Sequence, residues 1–207
     1  MKKYLFYLLL FDLTFTSCKS QSIISPLPNK SKEDTLRELL FKDNLERSTE
    51  YPGGYKLLDG SEMQKSEDMD YYYFRTTLPH SPYATKYTYF KNPLQLKREY
   101  NTFYSASTGI LKEYDKQGNL IKEINLDAGF GFSLQNVIGI MQADYQIDLL
   151  HLPKDQYRDL ERSLATSNTP PTYTIAFDDV ASKRRREVVL NGNTGELISD
   201  NLMFLVK

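Results

Sequence analysis

Asp70-Tyr71-Tyr72-Tyr73-Phe74-Arg75 marks the point at which a polar chain turns to β character. The stretches 86–90 and 94–104 share its aromatic and β-favouring composition, and Pro79, Pro82 and Pro93 separate them, which predicts three strands. Two more strands follow over 109–114 and 119–126. They are joined by Asp115-Lys116-Gln117-Gly118, where Gly118 can take the left-handed conformation that closes a short hairpin. Toward the carboxy terminus 173–178, 187–190 and 196–206 read as closing strands, the last broken near Asp200-Asn201.

Helical spacing interrupts this β pattern. Ser133 is a candidate N-cap, Phe132 can staple onto Val137, and Leu134, Ile138, Met141 and Tyr145 recur at steps of four, three and four, so a helix is expected over 133–146. A second helix is expected over 153–164. Pro153 stands at a permitted first-turn position, and Tyr157, Leu160 and Leu164 share one side. Upstream, Ser31 with Asp34 and then Leu36, Leu39, Leu40 and Leu45 predict a helix over 32–47, ended by Tyr51-Pro52-Gly53-Gly54. These elements give an α+β expectation: an antiparallel β-sheet with helices packed on one face.

Two turn signatures can be laid over one another: Tyr104 to Leu111 and Leu190 to Leu197, each with a Thr-Gly pair at the same place, Thr108-Gly109 and Thr194-Gly195. Each reads as a strand, a four-residue loop, a glycine at positive φ and a returning strand. With the capped helix at 133–146 and the strand Tyr173-Thr174-Ile175-Ala176-Phe177-Asp178, the segment Val188 to Leu197 resembles the PepSY-like domains of bacterial envelope proteins. That resemblance implies a small helix-on-sheet unit at the carboxy terminus that binds or restrains peptidases, with no catalytic residue to carry over. The stretch Glu113 to Glu123 looks like the tyrosine and glycine hairpin repeats of some bacterial immunity-type and surface proteins.

At the other end Lys2 and Lys3 precede a short apolar run from Tyr4 to Phe11, and small polar Thr16 and Ser17 precede Cys18, the one cysteine of 207 residues. This pattern resembles that of bacterial lipoproteins, which are cut just before a lipid-modified cysteine. Counted on to Phe15, the apolar run covers about a dozen residues, short of the roughly 20 needed to span a bilayer. The expected organisation is a lipoprotein signal peptide over 1–17, a tether over 18–30, a helix plus Tyr-rich antiparallel β region over 31–128 and a PepSY-like α+β region over 129–207. The expected location is the bacterial cell envelope, lipid-anchored at the outer membrane or facing the periplasm.

Basic and acidic residues number 26 and 27. Losing Lys2, Lys3 and Asp12 with the signal leaves a near-neutral chain of about −2, with no global field for capturing nucleic acid. A lone cysteine allows no disulfide within the chain.

Chemistry-bearing motifs are sparse. His80 falls in Leu78-Pro79-His80-Ser81-Pro82, a turn, and His151 between two leucines; no spacing of His or Cys implies a metal site, and no cofactor or catalytic residue is assigned. Gly129-Phe130-Gly131-Phe132 lacks the lysine of a phosphate loop, and Asn191-Gly192-Asn193-Thr194-Gly195 lacks the distal glutamate of a calcium loop. Lys183, Arg184, Arg185 and Arg186 form a run of cations that is a candidate contact for an anionic partner. The tyrosines at 71, 72, 73, 83, 87, 89, 100 and 104 are candidates for a partner-facing surface.

The expected function is a non-catalytic, membrane-anchored lipoprotein that serves as a protein-binding module. The alternatives are an inhibitor or chaperone of an envelope peptidase, and a glycan- or peptide-directed hydrolase using carboxylates among Asp127, Asp144 and Asp148.

Overall fold

The computed structural model describes residues 54–57, 60–152 and 155–205. The expected helix over 32–47, the tether and Cys18 lie outside the described residues.

Alternation of side chains across paired strands organises nearly everything else. The first sheet runs β1 (Gly54–Lys56), β2 (Glu62–Glu67), β3 (Tyr71–Thr77), β4 (Tyr83–Phe90), β5 (Gln95–Phe103), β6 (Ala106–Tyr114) and β7 (Leu120–Asn125), each antiparallel to the next. Short polar turns fix its registers. Asp68 accepts hydrogen bonds from the backbone N–H groups of Asp70 and Tyr71 at 2.9 and 2.8 Å, which starts β3. Asp115 caps the β6–β7 turn in the same way, and Gly118 closes it at φ +87°.

The second sheet has the order β11 (Leu197–Leu205), β10 (Arg184–Asn191), β9 (Thr172–Asp179) and β8 (Arg158–Ser163), all antiparallel. Helix α1 (Leu134–Tyr145) precedes it. Ser133 caps α1 by accepting from the Asn136 N–H, and the residues at Val137, Ile138 and Met141 are buried.

This architecture corrects the α+β expectation. Among the described residues there are eleven strands in two antiparallel sheets and a single short helix, so the fold is mainly β. The decisive difference is 158–163, expected to be helical and found as the edge strand β8. Leu160 pairs with Ile175 and is fully buried, while Tyr157 and Leu164, assigned to the same helical face, are exposed. One buried position flanked by polar neighbours satisfies a period of two; the supposed period of 3.6 rested on three residues. The overlay of the two turns holds for the glycines, Gly109 at φ +71° and Gly195 at φ +78°, but not for a shared four-residue loop. The β5–β6 turn is Tyr104-Ser105, with Phe103 paired to Ala106 and Tyr104 at φ +52°, whereas Gly109 stands within β6.

The two sheets are distinct but share a core. Its centre is the row Leu160–Ile175–Val188 across β8, β9 and β10, covered by Val137, Ile138 and Met141 of α1. Into the same cluster the β5–β6 hairpin of the first sheet inserts Phe103, Tyr104 and Ala106. Arg162 fastens this joint. Its guanidinium donates to Asp127 at 2.7 Å and to the carbonyls of Ser107 and Leu126, and it stacks 4.4 Å from the Phe130 ring.

Candidate functional site

On the first sheet, β-register assembles a polar row from residues far apart in sequence. Gln64 lies opposite Arg75, Arg75 opposite Lys86, and Lys86 opposite Tyr100, so four adjacent strands contribute one side chain each to one face. The neighbouring row on that face holds Ser66, Tyr73, Thr88 and Arg98. Between these rows lies a shallow, open depression of about 200 Å³, lined by Gln64, Ser66, Tyr73, Arg75, Lys86 and Tyr100 among others.

Lys86 is the energetic oddity of this face. It sits directly across from another cation, and among the described residues it forms no ion pair; its ammonium lies 5.9 Å from the centre of the Tyr100 ring. Burial, and then the charge of Arg75, lower its pKa from the ordinary lysine value. The face is basic beyond this pair. Lys97 lies 3.8 Å from the Tyr71 ring centre and 5.6 Å from that of Phe90, and Lys116 lies 5.7 Å from Phe90. Of the carboxylates that register brings to this face in β2 to β6, Glu113 pairs with Arg98 and Glu62 is buried at the far end.

The tyrosines singled out in sequence do not form one surface. Tyr71, Tyr73 and Tyr100 share the face of Lys86, whereas Tyr72, Tyr87 and Tyr89 point to the opposite side. Tyr83 packs on Phe103 at 4.8 Å between ring centres, and Tyr104 is buried in the core, where desolvation pushes its phenol up to about 12.

The cation run spans the end of a turn and the start of a strand. Lys183 ends the β9–β10 turn at φ +55°, and Arg184, Arg185 and Arg186 open strand β10. Arg185 grips Asp178 through two bonds of 3.0 and 3.1 Å and stacks 3.7 Å from Tyr157. Arg186 forms a two-pronged pair with Asp200, both bonds 2.7 Å, and Tyr145 donates to the same carboxylate. That hydrogen bonding with Arg186 holds the Asp200 pKa below its ordinary range. Arg184 donates to the backbone carbonyls of Leu202 and Met203. Three of the four candidate contacts are thus engaged within the fold.

Gly129-Phe130-Gly131-Phe132 and Asn191-Gly192-Asn193-Thr194-Gly195 turn out to be packed on one another. Phe132 N–H donates to the Gly192 carbonyl at 2.9 Å, Gly131 N–H to Asn193, and Tyr173 hydroxyl to the Phe132 carbonyl. Gly195 has φ +78°, and a Cβ there would stand 2.5 Å from the Phe132 ring. Glycine in these loops serves close packing.

His80 lies in the β3–β4 turn, and His151 pairs with Asp148 at 2.7 Å on the surface. Asp127 and Asp148 belong to separate networks, one around Arg162 and Gly109, the other around His151 and Leu150. Among the described residues no group of three His, Cys, Asp or Glu side chains could hold a metal ion, and no helix is long and apolar enough to cross a membrane. No family model matches the chain, and neither a curated protein nor a solved structure matches it.

Proposed function

We propose that this chain is a bacterial envelope lipoprotein, held to the membrane by fatty chains on Cys18, whose folded part is a non-catalytic protein-binding module. The observation that supports the binding role is the basic, tyrosine-bearing face around Lys86. Arg and Tyr are the residue types that carry most interface energy, because they supply contact area together with directed hydrogen bonds. The amino-terminal pattern supports the anchor: two or more acyl chains, at about 0.8 kcal/mol per buried methylene, make attachment effectively stable.

Both halves are open to test. Cells producing the wild type and Cys18→Ser are fractionated; the variant is expected to leave the membrane fraction, and equal membrane retention would overturn the anchor. The purified full-length protein is expected to show no hydrolytic turnover of peptide or glycan substrates. Robust turnover abolished by changing one polar residue would overturn the non-catalytic reading.

A further inference from the structure

We infer that the depression around Lys86 seats one acidic side chain of a protein partner. The inference rests on the reading of the chain as a binding module and specifies which surface does the binding and what chemistry it takes.

The first reason is electrostatic. Like charges directly opposite one another on neighbouring strands destabilise a sheet, and Lys86 stands in register with Arg75 across β3 and β4. A carboxylate placed over Lys86 converts that cost into an attraction, strengthened because the ammonium is partly desolvated. Four arginines of the fold close onto carboxylates: Arg98 onto Glu113, Arg162 onto Asp127, Arg185 onto Asp178, Arg186 onto Asp200. Lys86 has no such partner among the described residues and lies in a concavity, on a face that also carries Lys97 and Lys116.

The second reason is size. Pockets for small molecules span roughly 300–1,000 Å³ and enclose most of their ligand. A shallow depression of about 200 Å³ is smaller than that and suits a single side chain projecting from a larger body. The third reason concerns the rim. Tyr73, Tyr100 and Gln64 line the depression with aromatic and polar groups of the kind found at protein interfaces, and the tryptophan favoured by sugar platforms is absent from the whole chain.

The test uses full-length protein in detergent and a fluorescein-labelled peptide of alternating Glu and Ser, followed by anisotropy. Binding that weakens with salt is expected for the wild type. Lys86→Gln should weaken it about tenfold or more, the loss of one charge-assisted contact. Lys86→Arg, which keeps the charge, and Lys183→Gln, which removes a cation from the other candidate patch, should bind as the wild type does. Inorganic phosphate and oligogalacturonate at matched charge should not displace the peptide. Any of four results would overturn the inference: no peptide binding, unchanged affinity in Lys86→Gln, loss in Lys183→Gln alone, or preferential binding of oligogalacturonate, which would make the face a glycan site. Each of these leaves the outcome of the turnover assay unaffected, so failure of this site and failure of the binding-module reading are distinguishable.

Discussion

The two sheets differ in how they treat charge at one place, since the first pairs Arg98 with Glu113 but sets Lys86 opposite Arg75. In the second sheet the central row is wholly apolar, and three arginines at its margins close onto carboxylates: Arg185 onto Asp178, Arg186 onto Asp200, Arg162 onto Asp127. In the first sheet the row Gln64–Arg75–Lys86–Tyr100 sets two cations side by side on a half-buried face. A charge that is answered within the chain contributes to the fold. Lys86, which has no carboxylate partner among the described residues and lies at a concavity, is the charge we assign to a partner.

That contrast can be broken most violently at the joint. Phe103 belongs to the first sheet but is fully buried in the core of the second. Phe103→Ala is expected to cost about 3–5 kcal/mol, measured by urea unfolding, because the surroundings can only partly close over the cavity. A cost below about 1 kcal/mol would mean that the sheets do not share a core.

Arg162→Met should have the next largest effect. It keeps the stem over Phe130 but removes the bonds to Asp127, Ser107 and Leu126, with an expected loss of about 2–3 kcal/mol. Full stability in that variant would show that the paired charges of the second sheet are incidental to folding.

Asp200 sharpens the comparison through pH. Its folded-state pKa lies below the ordinary 3.8, chiefly through hydrogen bonding to Arg186. The carboxylate's contribution is therefore present above the unfolded value and is lost as pH falls through the lower folded one. Asp200→Asn should be less stable than the wild type at neutral pH, and the difference should shrink below pH 3.8. A difference that stays constant across that window would mean the Arg186–Asp200 pair contributes through shape and not through charge.

Much of this was legible in the sequence, for identifiable reasons. Helix α1 announced itself through Ser133 and four apolar residues at helical spacing, β3 to β5 through aromatic runs divided by proline, and β6 and β7 through the turn Asp115 to Gly118 that joins them. Strand β2 did not, since Glu62-Met63-Gln64-Lys65-Ser66-Glu67 holds one apolar residue and owes its conformation to pairing with β3. Strand β8 was misread because Tyr157, Leu160 and Leu164 satisfy a helical period by coincidence. The cation run could be seen, but Asp200, which answers Arg186, becomes its neighbour only through the register of β10 and β11. The Lys86 row was invisible for the same reason: four strands must align before its members meet.

The most direct test of the division between charges that fold and a charge that binds is the stability of Lys86→Gln itself, from urea unfolding of the full-length protein at neutral pH. If Lys86 serves a partner, removing it relieves repulsion with Arg75, and the variant should match the wild type or exceed it by up to about 1 kcal/mol. A loss of about 1 kcal/mol or more would show that Lys86 holds the sheet together and would contradict the account.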